Sequence, residues 1–192
     1  MKYALIVIAV LVIGILVFLF NNGLFVRPKI ESKVVGPFRL VYNQHIGEYK
    51  GTKGVMDKIY EDLLKIEIST TKGFGIYFDN PQTTPKEELR SYAGCIVEVG
   101  DYGKLSLENK PGEVMDFPKQ ECFVTEFPFK GPFSVLMGII KVYPELKKYA
   151  EGNMDLPTME VYDVPNKKIM YVAVKKELEL LPAIGDTVEI DS

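Results

Sequence analysis

The chain has no tryptophan, one histidine and two cysteines. A single histidine, His45, excludes a histidine-based catalytic triad and a two-histidine metal site within one chain. A haem ligand needs only one histidine, but His45, close to Gly47 at a strand end, reads as an ordinary polar residue. Cys95 and Cys122 lie in apolar, strand-like runs. They lack metal-ligand spacing and cannot build a disulfide framework, so they read as small buried hydrophobes, with a single bridge between them left open. There is no P-loop, no G-x-S-x-G elbow and no dinucleotide fingerprint. No metal and no cofactor are therefore expected. A basic stripe is missing too. Beyond residue 30, 20 Lys and Arg face 26 Asp and Glu, about −6. That balance excludes nucleic acid as a partner and makes the domain surface repel anionic lipid.

What the chain does have first is an apolar run. Tyr3 to Phe20 is 18 residues without a charge. As a helix it would reach about 27 Å, close to the hydrocarbon thickness of a bilayer. It exceeds the apolar core of a cleavable signal peptide, and no A-x-A-like site follows it. Residues 1–26 are read as a single-pass membrane anchor, with Asn21, Asn22 and Gly23 at its water-facing end. Lys2 and the N-terminal amine precede the span, while Arg27, Lys29 and Lys33 follow it. This one-charge excess leans toward a cytoplasmic C-terminal domain.

Residues 27–36 read as a polar linker, and residues 37–182 as one domain. Phe38 to Tyr49 is β-rich. Val55, Ile59 and Leu63 recur at i, i+4 and i+8, the pattern of an amphipathic helix. Gly73 to Phe78 is a strand stopped by Asp79-Asn80-Pro81, and Tyr92 to Val99 is another. The same order then returns: a strand at 122–127, a helix marked by Phe133, Leu136, Met137, Ile140 and Tyr143, and strands at 159–163 and 169–174. Pro144 predicts a kink or restart in that helix, and Gly152-Asn153 its end. Tyr49-Lys50-Gly51 matches Phe129-Lys130-Gly131 at a spacing of 80, and Ile76-Tyr77 matches Val161-Tyr162 a few residues further on. The expectation is an α+β domain made of a duplicated strand–helix–strand–strand unit with pseudo-two-fold symmetry. Module one is about 37–100 and module two about 120–176. The Gly/Pro-bearing stretch 103–119 reads as a linker, and 183–192 as a tail or edge strand. Half a domain this small could hardly bury its own sheet, so the two copies should pack together.

Two strand glutamates, Glu126 and Glu160, sit among apolar residues. Either would serve a cationic or hydroxylated ligand if buried, and either would simply face water if on the wet side of its strand. Tyr42, Tyr77, Tyr162 and Tyr171 fall on strands, where they suit either core or an apolar pocket with polar tips.

The duplicated unit, with Gly-Ile-Tyr-Phe-Asp-Asn-Pro at 75–81 and Pro-Thr-Met-Glu-Val-Tyr at 157–162, resembles the GyrI-like domain. That is the effector-binding domain also attached to AraC- and MerR-type regulators. The resemblance covers about residues 36–175. It implies a small, often amphipathic or cationic ligand held between the modules. Many ligand-binding members carry Glu-x-x-x-Pro in the last strand; here that strand reads Ile169-Met170-Tyr171-Val172-Ala173, without either residue. Glu160 matches the family's Glu-x-Tyr strand instead. The resemblance thus implies ligand contacts from Tyr42, Tyr77, Glu126, Glu160, Tyr162 and Tyr171, with no catalytic residue. Two alternatives stand beside it. One is a hydrolase of small reactive compounds using a cleft carboxylate and a tyrosine. The other is a non-enzymatic module that recruits a protein to a membrane.

Overall fold

The computed structural model describes residues 2–106, 110–149, 157–175 and 181–182. The apolar run forms α1 (Lys2–Asn21), with no buried residue along it. After it come β1 (Glu31–Val35), β2 (Phe38–Ile46), α2 (Thr52–Lys65), β3 (Lys72–Tyr77) and β4 (Arg90–Val97). The second half gives β5 (Glu113–Phe117), β6 (Gln120–Pro128), α3 (Pro132–Tyr149), β7 (Thr158–Asp163), β8 (Lys168–Val174) and the short β9 (Leu181–Pro182). The two cysteines are free, each buried in its own strand.

The expected strand–helix–strand–strand order therefore appears twice, but each unit has one strand more in front. Glu31–Val35, inside the stretch read as a linker, is β1, and Glu113–Phe117, inside the second linker, is β5. Pro144 does not end α3, which continues through it to Tyr149. Pro144 is exposed, so the missing N–H opens no gap in the core. The positions 152, 153 and 183–192 lie outside the described residues.

All the described strands form one antiparallel sheet in the order β1-β6-β8-β7-β3-β4-β2-β5-β9. Module two occupies β6-β8-β7 and module one β3-β4-β2, and they meet where β3 pairs with β7. The leading strands are exchanged. β1 pairs with β6 of module two, and β5 pairs with β2 of module one. Only Gly36 and Pro37 connect β1 to β2, although five strands lie between them in the sheet order. The sheet must therefore curl until its two ends meet. The core confirms this: Val35, Leu40, Met115, Phe117, Cys122 and Val124, drawn from both ends, pack in one cluster with Phe74, Ile76 and Val161 from the middle. Where the β1–β2 and β5–β6 connections pass each other, Gly36 has φ +87 and a Cβ there would stand 2.7 Å from the Pro118 carbonyl oxygen. Only glycine combines that conformation with that approach.

Both helices lie on the outer face. Directly paired residues point to the same side of a sheet, so Val41, Cys95, Gly73, Tyr162, Ile169 and Phe127 form one row across it. Ile59 and Leu63 of α2 pack on the Val41–Cys95 end, and Val142 and Leu146 of α3 on the Ile169–Phe127 end.

Candidate functional site

The row next to that one runs Asn43, Ala93, Gly75, Glu160, Tyr171, Thr125. Its centre, Gly75 opposite Glu160, is the seam between the modules. The sequence match of Ile76-Tyr77 to Val161-Tyr162 makes Gly75 and Glu160 equivalent positions in the two copies. Over this seam, between the two helices, stand Tyr77 of β3, Tyr162 of β7 and Tyr143 of α3.

Glu160 is 2 % exposed. Tyr143 donates to its Oε1 at 2.7 Å and Tyr162 to its Oε2 at 2.5 Å. These are short hydrogen bonds of the kind a carboxylate accepts from hydroxyls. No Lys or Arg pairs with Glu160 among the described residues. Burial therefore dominates and raises its pKa, while the two phenols pull it back down. Burial, then the neighbouring carboxylate, pushes Tyr143 and Tyr162 well above the ordinary phenol value. Tyr77 is raised in the same way. These phenols stay protonated and act as donors.

Each ring is held by a second layer. Tyr77 meets Tyr49 edge-on at 4.8 Å and lies 3.5 Å from the Thr52 hydroxyl. Tyr49 donates to the Asp79 carbonyl at 2.7 Å and accepts from the Asp79 N–H at 3.0 Å, which ties the loop after β3 to the seam. Phe129 packs edge-on to Tyr162 at 5.6 Å. Tyr171 is buried beside Glu160, meets Tyr143 at 6.0 Å, and its hydroxyl has no hydrogen-bond partner among the described residues. That hydroxyl lies over Gly138 of α3, where a Cβ would come within 2.2 Å. Glycine in this helix makes the space that Tyr171 occupies.

Of the six residues read from sequence, four come together here: Tyr77, Glu160, Tyr162 and Tyr171. Tyr42 and Glu126 do not. They end a single row on the inner face, Tyr42-Gly94-Phe74-Val161-Met170-Glu126. Glu126 is exposed and pairs with Lys168 at 2.7 Å. Tyr42 packs on Tyr92 at 4.6 Å. Tyr143 and Tyr49 belong to the site and were missed as site residues. In the sequence Tyr143 reads only as part of a helical period. A separate open depression of about 260 Å³ lies at the ends of β2 and β4, lined by Gln44, Ile46, Phe78, Arg90 and Tyr92. His45 and Ser91 also line it; Arg90 is engaged by Asp79 at 2.8 Å, and His45 Nε2 lies 3.0 Å from the Glu48 carbonyl. No cluster of three metal-ligating side chains occurs among the described residues.

A curled antiparallel sheet of two equivalent modules, with two helices on its outer face, is the fold of a class of small-molecule binding domain. The chain belongs to it: residues 28–172 match the GyrI-like small molecule binding domain family. Among curated proteins it is similar to the testis-expressed protein 264 homolog of Mus musculus, 24% identical over 156 residues. That match covers 77% of this chain and 49% of the mouse protein, so the chain spans about half the length of this relative. Two solved structures share the fold. SAV2435 bound to tetraphenylphosphonium has a TM-score of 0.50 at 13% identity, over 76% of this chain and 92% of its own. The EcmrR C-terminal domain has a TM-score of 0.51 at 8% identity, over 81% and 99%.

Proposed function

We propose that this chain is a single-pass membrane protein whose GyrI-like domain binds a small amphipathic cation over the β3–β7 seam. The observation that carries this reading is Glu160: a buried carboxylate with two phenol donors and no paired cation among the described residues. A buried charge is costly unless paired, and a hydrophobic cation would supply the missing partner. The surrounding Tyr77, Tyr143 and Tyr162 rings offer aromatic faces to such a cation. The ligand would reach Glu160 by displacing one of these rings. Tetraphenylphosphonium, bound by SAV2435, is a hydrophobic cation of this kind. The anchor reading rests on the length and apolar character of α1. The one-charge excess after the span favours the cytoplasmic side for the domain.

The test is thermal unfolding of the full chain in detergent with and without tetraphenylphosphonium. Ligand that binds only the folded state should stabilise it by about 2.7 kcal/mol at a hundredfold excess over Kd. The Glu160→Gln variant should lose most of this shift, which separates binding at the seam from partitioning into detergent. An equal shift in both proteins, or none in either, would overturn the reading. The hydrolase alternative uses the same carboxylate and phenols. Recovering a labile ester or cyclopropane probe intact from the protein speaks for binding, whereas a cleaved product would assign an enzyme.

A further inference from the structure

The junction between α1 and the domain is a built contact. Asn22 is buried and donates from its side chain to the Phe18 carbonyl at 2.8 Å. Gly23, at φ +91, presses against the Phe127 ring, where a Cβ would stand 2.6 Å away. Lys141 of α3 donates to the carbonyls of Leu24 and Val26, the latter at 2.9 Å. Val26 and Ile30 then enter the core of module two. α1 is thus fixed to α3.

The level at which α3 touches α1 is the informative part. Phe133, in the first turn of α3, packs on Phe18 with ring centroids 5.2 Å apart. Phe18 lies within the uncharged run, three residues before the end of α1, or about 4.5 Å along the helix axis. A side chain of the domain therefore stands at a depth where the anchor is still apolar. Behind it, Leu136 and Ile140 are 50% and 57% exposed. With Phe133 they fall at i, i+3 and i+7, one stripe of α3. The opposite stripe, Ser134, Gly138, Val142 and Leu146, is the buried one. Beside the junction, Arg27 and Lys130 are exposed, where cations suit the lipid phosphate level. Phe20 and Phe25 are also exposed there, 66% and 65%.

We propose that α3 is a second membrane contact: its Phe133–Leu136–Ile140 stripe seats in the bilayer interface beside the anchor, so that the domain lies on the membrane surface. The occupant of this apolar face is lipid, because the same face is continuous with the apolar surface of α1. An amphipathic helix buries such a stripe at the boundary between headgroups and acyl chains. This inference rests on the reading of α1 as a membrane anchor.

The experiment uses the full chain in phosphatidylcholine bilayers. A polarity-sensitive fluorophore is attached to one introduced cysteine at a time: Val10→Cys in α1, Leu136→Cys and Ile140→Cys in α3, and Lys58→Cys on the wet face of α2. All four positions are exposed, so the label does not enter the core. The expected result is blue-shifted emission at 136 and 140, and loss of emission when lipid carries a nitroxide near the headgroup end of its acyl chain. The probe at 10 should lose emission to a nitroxide placed deep in the chain, and the probe at 58 to neither. Quenching at 10 without quenching at 136 and 140 leaves the anchor standing and overturns the α3 contact. A blue shift at 136 and 140 without lipid quenching would show protein on that face and also overturn it. No quenching at 10 removes the anchor itself, and this inference with it.

Discussion

Gly75 faces Glu160 across the seam, and the two are the same position in the two copies of the module. Only one of the pair carries a carboxylate. Two carboxylates facing each other at this depth would repel, and one would have to take up a proton. The space left by the glycine is filled by Tyr77, whose hydroxyl would stand 2.6 Å from a Cβ at position 75. Gly75→Ala should push that ring off the seam. The expected loss is about 1–3 kcal/mol, typical of overpacking, read as a lower urea midpoint at unchanged m-value. Binding of tetraphenylphosphonium should weaken with it.

Glu160 should leave a signature in the pH dependence of stability. Its folded pKa is raised above the ordinary value of 4.5, chiefly by burial. The folded state then binds this proton more tightly than the unfolded state. Stability from this group is greatest below the ordinary carboxylate pKa. It falls as pH rises from there to the raised folded pKa, and is level above it. Asp79 runs the other way: hydrogen bonds from Arg90 lower its pKa, so its contribution is lost in acid. Glu160→Gln should remove the decline, and the variant should gain on the parent between acid and neutral pH. Urea midpoints at a series of pH values would show it, and parallel curves for the two proteins would refute it.

The tyrosines around Glu160 should not behave alike. Tyr143→Phe and Tyr162→Phe each remove one of the two donors to a buried carboxylate. Each should cost about 1–3 kcal/mol. Tyr171→Phe removes a hydroxyl that has no hydrogen-bond partner among the described residues, so it should be neutral or stabilising by up to about 1 kcal/mol.

Gly138 and Tyr171 should be coupled. Alanine in a helix ordinarily gains about 1 kcal/mol over glycine. At position 138 its Cβ would meet the Tyr171 hydroxyl at 2.2 Å, so Gly138→Ala should destabilise. In the Tyr171→Phe background the clash is relieved, and a double-mutant cycle should return a coupling of roughly 0.5–3 kcal/mol. Additive effects would contradict the packing described.

Both thiols should be silent in the folded protein. Burial pushes Cys95 up to about 12 and Cys122 up to about 11. The thiolate is the reactive species. A thiol reagent at mildly alkaline pH should titrate neither cysteine until urea is added, and then both.

The duplication was legible because period and punctuation recur: Val55-Ile59-Leu63 reads as a helix, and Asp79-Asn80-Pro81 as a strand stop. β1 and β5 were not. Glu31-Ser32-Lys33 is polar and mostly exposed because it lies on an edge, and edge strands carry little alternation. β5 follows directly on Pro111 and Gly112 and is five residues long. Their exchange between modules depends on curling of the whole sheet, which no local pattern encodes. The site was half legible for a related reason. Glu126 and Glu160 look alike along the chain, each among apolar strand residues. What separates them is that β7 lies at the middle of the sheet, beneath a helix-borne tyrosine, while Glu126 sits on the opposite face. Alternation assigns a residue to a face; it does not say what covers that face.

The exchanged leading strands also settle how the domain would carry tension. α1 leads through Ile30 straight into β1, so a pull on the N-terminal helix first loads the β1–β6 ladder of module two. The same strand passes through Gly36 and Pro37 into β2 of module one. The load therefore reaches module one only through that crossing, after the β1–β6 ladder of module two has borne it. Cutting the chain between β4 and β5 should leave two fragments that hold each other by borrowed strands, each incomplete alone.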